Sequence, residues 1–168
     1  ERKVTLLGIR NARMVRSGFG SGSGGGSAIS TLLADSLEEE GFSVNRKLLA
    51  HYTKQIGLMD EDKILEPNPN TYGASLTSTY ASYNDAAVVV FSRTGAENFD
   101  IATNGLAGQG YSNDDAHKLQ LDDNEKLLVK HAKANFKKVI VLINSSNIME
   151  IPELDAPTST EYGVDAIL

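Results

Sequence analysis

Two carboxyl groups follow the most apolar stretch of the chain, in the run S-R-T-G-A-E-N-F-D at residues 92–100. A carboxyl group on a loop at the end of a buried strand can act as a general acid or base when removal from water raises its pKa towards neutral pH. The spacing leaves two alternatives open for Glu97 and Asp100, which are either acid/base groups or ordinary solvated acids. Arg93 and Glu97 are also spaced to form a surface ion pair, which would contribute about 0–1 kcal/mol.

A glycine- and serine-rich segment at residues 18–27 is the second candidate site. Gly20, Gly22 and Gly25 have the spacing of a dinucleotide-binding loop, whose backbone amides hold a pyrophosphate at a helix N-terminus. The match has little specificity, because so glycine-rich a segment satisfies many patterns and lies well beyond the preceding predicted strand. Three interpretations stay open: a ligand loop offering backbone amides and serine hydroxyls, a nucleotide site, and a flexible linker.

The three histidines do not have the spacing of a metal site. His51 and His131 lie on predicted helices among charged neighbours, whereas His117 lies in a long loop from which it could contact a ligand. The chain contains no cysteine, which excludes disulfides, zinc–thiolate sites and thiol nucleophiles. These residues do not indicate a metal site, and we expect neither a metal nor another cofactor.

Strands and helices that alternate along the chain must position these residues. Five segments are typical of β-strands, and two of them are continuous β-branched runs of the kind found in strands buried on both faces: residues 4–9, 42–44, 86–91, 139–143 and 164–168. Strands that alternate with helices indicate parallel β-α-β units. We predict an α/β fold, a three-layer α/β/α sandwich with a mostly parallel sheet of about five or six strands.

Capping residues predict where three helices begin or end. Ser27 is expected to cap the first helix, which stops at Gly41, and the second is expected to run from Asn45 to Gly57. Asp122 followed by Glu125 has the spacing of a capping box and predicts the start of the third.

Ligands of parallel sheets bind beyond the carboxyl ends of the strands. The loops after Ile9, Phe91 and Ile143 should therefore lie together at that end. Residues 66–83 are expected to form a surface connection with one short helix, and residues 101–118 a second long loop rich in glycine and asparagine.

Composition excludes several classes of protein. The 168 residues suit a single globular domain, and the net charge of −6 argues against nucleic-acid binding, which needs a concentrated basic face. The longest apolar run is too short to cross a membrane. The absence of cysteine leaves both a cytoplasmic and a secreted location open, because such a domain folds equally well in either.

The order of these segments resembles one enzyme family. A strand, a long Gly/Ser loop and a helix precede the strand at residues 85–93, which leads into the acidic run at 95–100; residues 138–144, 148–150 and 164–168 complete the pattern. Nearly the whole chain is similar to the α/β sandwich domain, of C-terminal type, of glycoside hydrolase family 3, the β-glucosidase family.

The resemblance implies an exo-acting retaining β-glucosidase-like hydrolase that acts on β-linked glycosides. It assigns the general acid/base to Glu97 and substrate contacts to Gly20, Ser21, Gly22 and Arg93. It also implies that a (β/α)₈ barrel, which needs about 250 residues, supplies the nucleophile as a partner domain. Residues 1–168 are then a single, truncated domain that is inactive alone, without a nucleic-acid or membrane partner. The alternative is a non-catalytic, flavodoxin-like module that binds a nucleotide or carbohydrate through the Gly-rich segment.

Overall fold

A five-stranded, fully parallel sheet organises the chain in the computed structural model, which describes residues 2–15, 31–57, 64–95, 101–154 and 162–168. The strands run in the spatial order β2-β1-β3-β4-β5 and every neighbouring pair is parallel. Their bounds are β1 Lys3–Leu7, β2 Ser43–Val44, β3 Ala86–Arg93, β4 Val139–Ser145 and β5 Ala166–Ile167. The predicted α/β class and all five predicted strands are confirmed.

In the described part of the chain, four α-helices and three short 3₁₀ turns connect the strands. The helices are α1 Leu33–Glu39, α2 Arg46–Ile56, α3 Ala74–Thr77 and α4 Asp123–Asn135, and the 3₁₀ turns are Ile9–Ala12, Pro69–Thr71 and Tyr80–Ser82. The Asn45 side chain accepts a hydrogen bond from the Leu48 N–H at the start of α2, as its position predicts. Asp122 and Glu125 form the predicted capping box at the start of α4.

The predicted start of the first helix is wrong. Leu32 is the residue that precedes α1, and its backbone is extended. The Asp35 side chain accepts a hydrogen bond from the Leu32 N–H, which satisfies a donor that a helix end leaves unpaired. The helix therefore begins at Leu33, and Ser27 lies outside the described residues. Gly41, with a φ of +83°, follows the end of α1 as predicted.

Helices cover both faces of the sheet. Because successive side chains of a strand point to opposite faces, Leu6 packs against Ala34 of α1 while its neighbour Leu7 lies in the cluster that contains α2 and α4. That second cluster is the larger core and includes Val89, Phe91, Val141, Tyr52 and Leu128. The two clusters are the cores between the sheet and the helices on its two faces, and the sheet and helices are the three layers of the predicted sandwich.

The stretch at residues 66–83 is not a surface connection. Glu66, Tyr72 and Tyr80 are all buried, with 6%, 8% and 4% of their surface exposed. The Tyr72 hydroxyl lies 2.7 Å from that of Tyr52 on α2, and the Tyr80 hydroxyl lies 3.1 Å from Nε2 of His131 on α4. The tyrosines therefore have polar partners inside the core, which explains why a polar-looking stretch is buried.

Two further observations concern the described residues alone. No helix among them combines the length and apolar character that a membrane crossing requires. No three histidine, aspartate or glutamate side chains in these ranges are grouped so that they could hold a metal ion.

Candidate active site at the carboxyl end of the sheet

The ends of β1 and β3 lie at the point where the sheet changes direction. The chain passes from β1 to β2 on one side and then returns to β3 on the other side, and ligands of open α/β sheets bind at such a switch point. Gly8 follows β1 with a φ of +91°, and a Cβ atom there would lie only 2.5 Å from the Val90 carbonyl oxygen of β3. The chain leaves β1 through a tight turn pressed against β3.

Asn144, near the end of β4, connects three strand ends. Its Oδ1 accepts hydrogen bonds from the Val15 N–H at 2.6 Å and from the Ser92 hydroxyl at 3.0 Å. Its Nδ2 donates to the Val15 carbonyl oxygen at 2.9 Å. The loops that follow β1, β3 and β4 therefore lie together, as predicted for the carboxyl end of the sheet.

The described residues on either side of residues 96–100 approach each other at this end. A Cβ atom on Gly95 would lie 3.4 Å from Cγ1 of Ile101 and 3.5 Å from Nδ2 of Asn147. Gly95 and Ile101, which flank the segment that carries Glu97, thus lie next to each other, and Gly95 also adjoins the loop after β4. Glu97 itself lies outside the described residues, as do Gly20, Ser21 and Gly22, so their predicted roles stay predictions.

Arg93, at the end of β3, is the predicted site residue that the structure describes. Its guanidinium makes two hydrogen bonds to the Glu125 carboxylate, at 2.7 and 2.6 Å. Its remaining donors contact the carbonyl oxygens of Ser92 at 3.0 Å, of Gln120 at 2.5 Å, and of Lys118. All five N–H groups of the guanidinium are therefore engaged within the domain.

These contacts join the two ends of the long loop. Arg93 lies where the chain leaves β3, and Lys118 and Gln120 lie where it returns towards α4. Burial lowers the pKa of Arg93, but the Glu125 charge and hydrogen bonds more than offset it, so the side chain is a stable cation. An ion pair between Arg93 and Glu97, which lies outside the described residues, stays a prediction. Direct contact of Arg93 with a substrate stays a prediction.

The long loop itself has a small core. Residues 101–118 contain neither helix nor strand, as predicted, but Leu106, Tyr111 and Ala116 form a buried cluster within them. The Tyr111 hydroxyl donates to the Gln120 carbonyl oxygen at 3.0 Å. Gly110 packs against the Asp122 carboxylate, where an added Cβ would lie 3.3 Å from Oδ2. The loop is therefore packed onto the N-terminus of α4.

An acidic group beneath the site escaped the sequence analysis. Glu66 is buried, and its Oε2 accepts a hydrogen bond from the Ile9 N–H at 2.8 Å. Burial raises the pKa of Glu66 well above its ordinary value, and the neighbouring Glu125 and Asp122 raise it further. Glu66 gave no sequence signal, because it precedes a proline-rich stretch typical of a surface. Asn144 did give one, since a polar residue directly follows a buried strand.

The histidines do not converge on this end of the sheet as a group. His117 forms a 3.1 Å contact with the half-exposed carboxylate of Glu150. His131 lies in the core beside Tyr80, and burial lowers its pKa. A role for His117 in ligand contact stays a prediction.

Known proteins share this architecture. A beta-glucosidase of Ruminococcus albus is 27% identical over 169 residues, covering 91% of this chain and 15% of the relative. Beta-glucosidase 3B of Thermotoga neapolitana, solved in complex with glucose, has a TM-score of 0.67 and 24% identity over 91% of this chain and 22% of that chain. A beta-glucosidase of Paenibacillus barengoltzii has a TM-score of 0.69 and 21% identity, covering 92% of this chain and 16% of that chain.

These comparisons show both how far the similarity reaches and where it stops. The chain spans less than a quarter of the length of each of these relatives, at 15%, 22% and 16%. The family model described as the glycosyl hydrolase family 3 C-terminal domain, in contrast, matches residues 1–168. The resemblance drawn from the order of the segments is thus confirmed, and the chain belongs to the glycosyl hydrolase family 3 C-terminal domain family.

Proposed function

We propose that this domain supplies the general acid/base, Glu97, and part of the sugar site to an exo-acting, retaining β-glucosidase-like hydrolase. The nucleophilic aspartate belongs to a (β/α)₈ barrel of the same protein, which covers the carboxyl end of the sheet. The substrate is a terminal β-linked glycoside. The domain alone is inactive, because only one of the two required carboxyl groups belongs to it.

One observation supports this assignment above the others. Gly95 and Ile101, which flank the segment with Glu97, lie together beside Asn147, while Val15, which precedes the Gly/Ser-rich segment, is bound to Asn144. The described residues that adjoin the two predicted site segments therefore lie at the same end of the sheet, next to the switch point where α/β sheets bind ligands.

The chemistry requires two carboxyl groups about 5–5.5 Å apart. Protonated Glu97 donates its proton to the glycosidic oxygen while the barrel aspartate attacks the anomeric carbon and forms a glycosyl–enzyme bond. The Glu97 carboxylate then removes a proton from water, which attacks the same carbon and releases the sugar. Acid/base assistance of this kind contributes typically 10²–10⁴ in rate.

The remaining predicted residues take supporting roles. The backbone amides of Gly20 and Gly22 and the Ser21 hydroxyl hydrogen-bond the sugar. Arg93 joins the two ends of the 94–117 loop through Glu125 and the carbonyl oxygens of Lys118 and Gln120, and so positions the segment that contains Glu97. Its donors are engaged within the domain, which favours this positioning role over direct binding.

The test is the dependence of Glu97→Gln on the leaving group, measured in the full-length protein. Glutamine cannot donate the proton, so kcat should fall by about 10²–10⁴ for alkyl or cellobiose-like substrates. An aryl glycoside with an acidic phenol leaves without protonation, so its glycosylation step should be little affected. Azide, which needs no general base to attack the glycosyl–enzyme, should restore turnover and yield the glycosyl azide.

The matched control is Glu39→Gln, which makes the same change on the exposed last residue of α1. Glu39→Gln should leave the activity on both classes of substrate unchanged. If Glu97→Gln lowered kcat/KM equally for substrates with good and with poor leaving groups, or did not lower it at all, Glu97 would not be the acid/base.

A further inference from the structure

The side chain of Asn144 binds the backbone of a residue far away in the sequence. Oδ1 accepts the Val15 N–H at 2.6 Å and Nδ2 donates to the Val15 carbonyl oxygen at 2.9 Å, across 129 residues. An amide side chain that pairs with both polar groups of one residue replaces the partner that a neighbouring strand would offer. Val15 is thereby held as if it continued the sheet.

Ser92 fixes the orientation of this amide. Ser92 has only 4% of its surface exposed, and its hydroxyl donates a hydrogen bond to Asn144 Oδ1 at 3.0 Å. Ser92 and Asn144 are also paired residues of neighbouring strands β3 and β4. The carboxyl ends of the two central strands therefore hold the amide in the one orientation that suits both groups of Val15.

We propose that Asn144 is a positioning residue for the segment that follows β1. It fixes Val15 relative to β3 and β4, and thereby sets the distance between the start of the Gly/Ser-rich segment and the loop after β3. The consequence for catalysis rests on the proposed function, in which these two segments grip one sugar. The contact itself does not depend on that function.

Asn144→Asp in the full-length protein is the sharpest test. The aspartate keeps an oxygen for the Val15 and Ser92 donors, but places a second oxygen against the Val15 carbonyl at the 2.9 Å position of Nδ2. Ionised, that oxygen repels the carbonyl; protonated, it donates a hydrogen bond as the amide does. At neutral pH we expect kcat/KM to fall about 10- to 100-fold, mostly through KM. The ratio of variant to wild-type kcat/KM should recover as the pH falls.

Asn135→Asp is the matched control. The Asn135 Nδ2 also donates to a backbone carbonyl, that of His131 at 2.7 Å, but on the exposed end of α4. The ratio of its kcat/KM to that of the wild type should stay near one at every pH. A pH-independent ratio for Asn144→Asp, or the same profile in both variants, would overturn the positioning role.

Hydrogen exchange of residues 9–15 in the same proteins tests the contact without reference to activity. Exchange should accelerate in Asn144→Asp at neutral pH, to a smaller extent in Ser92→Ala, which loses one of the three hydrogen bonds, and not in Asn135→Asp. Unchanged exchange in Asn144→Asp contradicts the inference. Faster exchange with unchanged kcat/KM contradicts only the catalytic consequence, and full activity of Glu97→Gln contradicts the proposed function instead.

Discussion

The Glu125 carboxylate serves two partners at once. Its oxygens bind the Arg93 guanidinium at 2.7 and 2.6 Å, and Oε2 also accepts the Asp122 N–H at 2.8 Å, which completes the capping box of α4. Both side chains of the ion pair are nearly buried, with 11% and 8% exposed. A helix N-terminus and the end of β3 thus share one carboxylate.

Arg93→Lys should destabilise the domain strongly. Lysine keeps the charge, but cannot reproduce the bidentate contact with Glu125 or reach the carbonyls of Lys118 and Gln120 as well. We expect the free energy of unfolding, measured with urea, to fall by at least about 2 kcal/mol. Arg46→Lys is the control, because Arg46 binds Asp35 and Glu38 at a site where its own side chain is 43% exposed. Equal effects at the two positions would contradict a special role for the buried pair.

Gly8→Ala should be costly for a geometric reason. The new Cβ would lie 2.5 Å from the Val90 carbonyl oxygen, on a residue whose φ is +91°. Displacing β3 and straining the backbone should together cost about 2–4 kcal/mol in urea unfolding. At Gly57, where φ is −64° and an added Cβ makes only ordinary contacts, alanine should change stability by less than about 1 kcal/mol. A tolerated Gly8→Ala would show that the two strands separate easily.

Glu66→Gln should alter how stability depends on pH. Because burial holds the folded-state pKa of Glu66 above its ordinary value of 4.5, folding takes up a proton above that pH. The contribution to stability is complete below the unfolded pKa and is lost as the pH rises towards the folded pKa. Glutamine does not ionise, so the stability of the variant should rise relative to that of the wild type as the pH rises above 4.5, by up to about 1.4 kcal/mol per pH unit.

Urea unfolding at several pH values measures this difference, with Glu39→Gln as the exposed control. The groups that face Glu66 are Tyr52, Tyr72, Asp122 and Glu125. A constant difference between Glu66→Gln and wild type would mean that Glu66 is ionised in the folded protein.

Local sequence signals predicted most of the fold. Asn45 and the Asp122–Glu125 pair are capping residues, whose partners lie within a few positions along the chain, so their spacing is informative. The β-branched runs predicted the buried strands, and the rule for parallel sheets then placed the loops after β1, β3 and β4 at one end. The family resemblance, in turn, supplied predicted roles for residues to which no local pattern assigned one.

Contacts between distant residues were the part that could not be predicted. Arg93 binds Glu125, a buried carboxylate 32 positions away along the chain, and no local spacing in the sequence indicates this partner. Tyr72 and Tyr80 found hydroxyl and imidazole partners inside the core, which a linear pattern cannot show. The contact between the Asn144 amide and Val15 also joins residues far apart in the sequence, so no local pattern predicts it.

The shared carboxylate of Glu125 also decides where this domain can accept change. If the ends of the long loop separated from Arg93, Glu125 would lose a partner and the first turn of α4 would unwind. The loop and this turn should therefore open together and resist proteolysis together. Length differences among homologous domains should therefore be rare at residues 118–125.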